Sequence, residues 1–135
     1  QQHIEAQCKR LRTLGFTGTP IIRGNLNAMD KSLLPSLQTV CTEILNNIAK
    51  HGKPGAFAFI LSVGPDAVRI FASNLYNAAI NSAPENHYGT ALIQDFAQQH
   101  NGTMTINSEN EEWSLSLTIP LAHQVKLMFS PTEKL

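Results

Sequence analysis

The sequence predicts a two-layer α+β sandwich, with helices covering one face of a mixed, mainly antiparallel sheet. Three observations lead there. Segments 32–48 and 89–99 carry apolar residues at helical spacing. Segments 20–26, 56–63, 67–73, 103–109 and 113–121 are short apolar or alternating runs bounded by Gly, Pro and Asn. Their order is strand, helix, strand, strand, loop, helix, strand, strand, which suits layered α+β packing.

Taken in order, residues 1–14 (QQHIEAQCKRLRTL) read as a polar helix or linker, ended by the turn GFTGTP. PIIRGNL at 20–26 reads as a strand. Asp30 or Ser32 is placed to cap a helix running through Ile48, with Pro35 tolerated in its first turn. Leu37, Val40, Cys41, Ile44, Leu45 and Ile48 form its apolar stripe, and His51-Gly52 with Pro54 and Gly55 punctuates its end. AFAFILSV and AVRIFAS, separated by Gly64-Pro65-Asp66, make a hairpin. NLYNAAINSAPENHY at 74–88 reads as an irregular loop. GTALIQDFAQQ then shows a stripe of Leu92, Ile93, Phe96 and Ala97, closed by Asn101-Gly102. TMTINSE and WSLSLTIPL alternate around an acidic turn and form a closing hairpin. On this reading residues 1–19 are a linker or helix remnant, 20–122 the folded domain and 123–135 a peripheral tail.

Composition narrows the function classes. A chain of 135 residues is the size of one domain with a real core. Zero formal net charge argues against a dedicated nucleic-acid binder. No apolar run approaches the ~20 residues of a membrane span, and no signal peptide is visible. Cys8 and Cys41 form no CxxC pattern, so reduced thiols of a cytoplasmic protein are expected. A chain beginning with Gln is expected to be processed or cut from a larger one.

The chemistry centres on TEILNNIAKHG at 42–52. Glu43, Asn47 and Lys50 recur at helical spacing beside the apolar stripe, so they would line a groove between helix and sheet. A carboxamide oxygen from Asn47 can ligate a hard Mg²⁺ that keeps waters and shares phosphate oxygens. Glu43 could orient or deprotonate an attacking group. Lys50 and His51 would balance phosphate charge. The same spacing also fits a solvated helix edge of no chemical consequence.

Glu43-Ile-Leu-Asn-Asn47-Ile-Ala-Lys50-His51 resembles the N box of the histidine-kinase-type ATPase domain of the GHKL superfamily, and NHYGTALIQDFAQQHNGTMTI at 86–106 resembles its second glycine box, as found in nitrate/nitrite-sensor-type kinases. The resemblance covers about residues 20–121 and implies a Bergerat-type ATP-binding fold. It implies ATP and Mg²⁺ as cofactors, with Asn47 the Mg²⁺ ligand and Glu43 the polar partner of phosphoryl transfer. Lys50 and His51 would face the phosphates, and Gly89 with the amides of Thr90 and Ala91 would open a helix against them, as free N–H groups and the helix dipole favour. His87 and Tyr88 would pack or fix an ATP lid spanning 75–88.

The resemblance breaks at SNLYN. The family's Asp-x-Gly-x-Gly, which reads adenine, aligns so that its acid falls on Asn74 and its glycines on Tyr76 and Ala78. Asn74 can still offer a carbonyl oxygen to the adenine amino group. Tyr76 would stack on the base or occlude it. If this departure limits binding, Asn74→Asp with Tyr76→Gly should raise ATP affinity. Residues 1–14 are too short for a phosphoacceptor helix pair, so this chain alone should not autophosphorylate.

The leading expectation is therefore the monomeric, cytoplasmic catalytic domain of a two-component sensor kinase. Its partners would be the parent's phosphoacceptor and dimerisation domain and, indirectly, a response regulator, with no nucleic acid or direct membrane contact. Alternatives are a degenerate regulatory module of the same fold, or a serine kinase acting on an anti-sigma antagonist.

Overall fold

Alternating apolar residues in the later strands should give one sheet a single dry face. The computed structural model describes residues 2–26, 29, 31–76 and 88–121. Within them the order is α1 (Gln2–Thr13), β1 (Pro20–Arg23), α2 (Leu34–His51), β2 (Gly52–Val63), β3 (Ala67–Tyr76), α3 (Tyr88–Gln99), β4 (Thr103–Glu109) and β5 (Glu112–Pro120). The five strands form one sheet in the order β1-β2-β3-β5-β4. β1 runs parallel to β2 because α2 carries the chain over between them. The other pairings are antiparallel, so the sheet is mixed and mainly antiparallel.

Phe57, Phe59 and Leu61 on β2, Val68, Ile70 and Ala72 on β3, and Trp113, Leu115, Leu117 and Ile119 on β5 supply the dry face. The stripe of α2 packs into the same core, as do Ile93, Phe96 and Ala97 of α3. Leu92 is the exception in its stripe, standing exposed.

The N-terminal segment is more than a polar linker. α1 buries Ile4, Cys8 and Leu11, spaced i, i+4 and i+7, in that common core. His3 and Thr42 share a hydrogen bond that ties α1 to α2. Arg10 Nη1 donates a second, to Asn46 Oδ1 at 3.1 Å. Three apolar residues among many charges are a weak periodic signal, which is why the stripe is hard to read from sequence.

Element boundaries differ from expectation where backbone geometry intervenes. β1 stops at Arg23 because Gly24 takes φ +89, where any side chain would run into the Val63 carbonyl. α2 starts at Leu34 with no side-chain cap, and Pro35 sits in its first turn. Asp30, one expected cap, lies outside the described residues. β3 continues past Ser73, so Asn74, Leu75 and Tyr76 are strand and not loop. Both neighbours can pair with this extension: Asn74 lies between Phe57 and Trp113, Leu75 opposite Glu112 and Tyr76 opposite Gly52. The remainder of the expected lid, 77–87, and the tail 122–135 lie outside the described residues. The β4–β5 turn places Asn110 and Glu111 at φ 53 and 63, the paired left-handed conformation of a tight hairpin. Among the described residues no helix is long and apolar enough to cross a membrane.

Both cysteines are free and buried. Burial pushes the Cys8 thiol up to about 11, with Arg12 opposing. Burial likewise pushes Cys41 up to about 12, with Cys8 adding to the shift.

Two measurements check this core. Leu11→Ala should destabilise the protein by about 2–5 kcal/mol in urea unfolding, as a core truncation does; a loss under about 0.5 kcal/mol would make α1 peripheral after all. The thiols should make stability pH-dependent. Their contribution is complete below the unfolded thiol value of 9.0 and is lost as pH rises through about 11 and 12. The urea midpoint should therefore fall with rising pH across that range, and Cys41→Ala should flatten the fall.

Candidate functional site

α2 ends without a connecting loop. His51 is its last residue and Gly52 the first of β2. The Gly52 N–H donates to the Ile48 carbonyl while Gly52 itself is already extended, at φ −79 and ψ 158. The polar row rides on the last turns of this helix. Glu43 is half-buried, Lys50 exposed and His51 half-buried. Asn47 is only 4% exposed and belongs to the buried face with Ile44 and Ile48. Spacing alone puts it beside the stripe; the structure sets it within the stripe. Its Nδ2 is buried with no hydrogen-bond partner among the described residues. Leaving such a donor unpaired costs about 1–3 kcal/mol, and native proteins rarely carry one without a reason.

Asn74 lies on the sheet beneath the end of α2. It is 4% exposed, on the inner face of β3 between Phe57 and Trp113. Its Nδ2 donates to the Leu75 carbonyl at 2.7 Å. A Cβ on Gly52 would run into that Nδ2, and would stand 2.5 Å from the Ile48 carbonyl and 3.1 Å from Phe16. Phe16 in turn meets Phe57 edge-on, with ring centroids 6.5 Å apart. The Asn74 amide thus lies under the C-terminal end of α2 in an aromatic setting, and Tyr76 pairs with Gly52 itself. The end of the first motif and the start of the second meet at this glycine.

The remaining residues are placed less centrally. Tyr88, Gly89, Thr90 and Ala91 form the first turn of α3, whose amides have no intrahelical acceptors. No acidic residue stands in that turn. Thr90 points inward and is buried, while Ala91 lines a groove of about 500 Å³ with Thr39 and Val40 of α2. Glu43 lines a separate groove of about 450 Å³ beside His3 and Thr42. His87 and Ala78 lie outside the described residues. Among the described residues no cluster of three or more His, Cys, Asp or Glu could hold a metal.

No family model matches the chain, and no curated protein matches it in sequence. Solved structures do match. The histidine kinase AdeS of Acinetobacter baumannii superposes with a TM-score of 0.67 at 12% identity, over 89% of this chain and 61% of that one. The nucleotide-free catalytic domain of histidine kinase ThkA gives 0.64 at 11% identity, over 89% of this chain and 92% of the domain. The blue-light-activated histidine kinase of Erythrobacter litoralis EL346 gives 0.62 at 11% identity, over 90% of this chain and 41% of that one. The fold is that of histidine-kinase catalytic domains. At these identities the likeness is one of fold, and the chain spans less than two thirds of the two longer kinases.

Within this histidine-kinase fold, sequence reasoning missed Gly52, Phe16, Phe57 and Trp113. Gly52 reads as helix punctuation, and the aromatics read as ordinary core. The strand registers bring Phe57 and Trp113 beside Asn74, and the space at Gly52 brings Asn74 and Phe16 together.

The setting of Asn74 also gives Asn74→Asp a cost in stability. Asn74→Asp would place a carboxylate against the Leu75 carbonyl, among aromatic rings. It would lose the 2.7 Å hydrogen bond and bury a charge at a position only 4% exposed. The variant should lose about 1–3 kcal/mol of stability at neutral pH. That loss should shrink as pH falls through the carboxylate range, because the neutral acid is the form burial favours. An unchanged urea midpoint at neutral pH would show that the amide is not held as described.

Proposed function

We propose that this chain is the ATP-binding catalytic domain of a two-component sensor histidine kinase, of the nitrate/nitrite-sensor type. The observation that carries the reading is a pair of buried amides, one on the last turns of α2 and one on β3 beneath the glycine at which α2 ends. Asn47 is buried on α2 with its Nδ2 unpaired among the described residues, and Asn74 is buried on β3 with its own NH₂ already committed and set against Gly52. The fold of histidine-kinase catalytic domains supports it. The Tyr88-Gly89 opening of α3 supports the subtype.

In this reading the phosphates lie along the last turns of α2, where Lys50 and His51 offset their charge and the first-turn amides of α3 donate to them. The orphaned amide of Asn47 fits a magnesium–nucleotide: its oxygen is a hard donor, and its unpaired NH₂ is free to bond a phosphate oxygen or a coordinated water. Magnesium, when bound, would offset the negative charge of the phosphates during transfer. Glu43, one turn earlier, orients the incoming group. Asn74 accepts from the base. Phosphoryl transfer is mostly positioning and charge neutralisation, so few other groups are needed. The acceptor histidine belongs to a separate dimerisation domain of the parent, and a response regulator takes the phosphoryl group afterwards. The domain works in the cytoplasm and is monomeric by itself.

Calorimetric titration with a non-hydrolysable ATP analogue, with and without Mg²⁺, tests the proposal. Binding should strengthen with Mg²⁺, and Asn47→Ala should remove that strengthening. Because Asn47 leaves a buried donor unpaired, the same variant should melt at or above the wild-type temperature. Absence of binding at millimolar nucleotide would replace the proposal with the degenerate regulatory module, in which the strand running through Tyr76 has closed the site.

A further inference from the structure

The Asn74 amide is held in one orientation. Only an NH₂ group can stand 2.7 Å from the Leu75 carbonyl oxygen as a hydrogen-bond partner, so that contact settles which end of the amide is nitrogen. The carbonyl Oδ1 therefore points the other way, as an acceptor. The NH₂ occupies the space that a side chain at residue 52 would fill, since a Cβ there would overlap Nδ2. Gly52 has φ −79, which every residue adopts readily. Its lack of a side chain is thus explained by what lies next to it, the Asn74 amide and the Ile48 carbonyl 2.5 Å from that Cβ position, and not by its own φ.

Resting on the nucleotide-binding reading above, we infer that Gly52 is a positioning residue. It keeps open the slot in which the Asn74 amide is locked, and so makes the site select purines carrying a 6-amino group over those carrying a 6-oxo group. An amide free to rotate by 180° would accept from an amino group in one state and donate to an oxo group in the other. Such a residue discriminates poorly between the two bases. Locked by the Leu75 carbonyl, Asn74 presents only an acceptor, which bonds the amino group and repels the oxo oxygen. An aspartate would have this one-sidedness by chemistry, as an acceptor at both oxygens. Asn74 gains it from its surroundings, with no charge buried among Phe57, Trp113 and Phe16.

The test compares ATP with inosine triphosphate, which carries the 6-oxo group, by calorimetry in Mg²⁺ on wild type, Gly52→Ala, Asn74→Ala and the double variant. Wild type should prefer ATP by about tenfold or more, the worth of one lost and one repulsive hydrogen-bond contact. Gly52→Ala should reduce the preference to about twofold, because the displaced amide no longer has a fixed face. Asn74→Ala should do the same, and adding Gly52→Ala to it should change discrimination no further, the non-additivity of two residues acting through one contact. A wild-type protein that binds ATP but prefers it by less than about twofold overturns the inference, as does full preference in either single variant. If Gly52→Ala does not fold, the double variant decides. A restored cooperative melt supports the clash with Asn74, whereas continued unfolding puts the role of Gly52 at the Ile48 carbonyl and overturns the inference. Binding of neither nucleotide by wild type is a different result, and counts against the nucleotide-binding reading itself.

Discussion

The whole arrangement depends on one backbone event, the passage of α2 into β2 with no residues between them. A helix that ends in a loop can settle over its sheet in several ways. Here the helix terminus is part of the sheet: Gly52 donates to Ile48 on one side and pairs with Tyr76 on the other. The last turn of α2 is thereby held at the end of β3, and the polar residues of that turn have little freedom to be elsewhere. The geometry of the site follows from this join.

The core makes the join stable. α2 is covered on both flanks, by α1 through Ile4, Cys8 and Leu11 and by α3 through Ile93 and Phe96, and lies on the dry face of the sheet. Packing from several sides explains how the helix tolerates Asn47 within its apolar stripe. One unpaired donor is a small loss against many buried aliphatic groups. A shallower helix with the same sequence would turn that amide to water.

Much of this was legible in the sequence, for physical reasons. Period-2 alternation and the stripe Leu37 to Ile48 are local patterns, so the strands and α2 could be read directly. The motif residues on α2 were readable because a helix places them by arithmetic. Burial of Asn47 was not, because spacing gives a direction on the wheel and not the width of what packs there. The extension of β3 through Tyr76 was hidden by Asn74 and Asn77, which favour turns locally, whereas pairing with Gly52 and Glu112 is a long-range event. Gly52 was the hardest to read: its significance lies in Asn74, and only register connects them. The core role of α1 was masked by the charged residues around three apolar ones.

The two free thiols have a use beyond packing. Cys8 sits on α1 and Cys41 on α2, and both are shut away from solvent as protonated, unreactive groups. A small thiol reagent can reach either one only while its helix is lifted away. Their labelling rates are therefore separate clocks on two motions. If Cys8 reacts well before Cys41, α1 detaches as a unit while the rest of the domain stays closed; if the two react together, the helical layer opens only when the whole fold does.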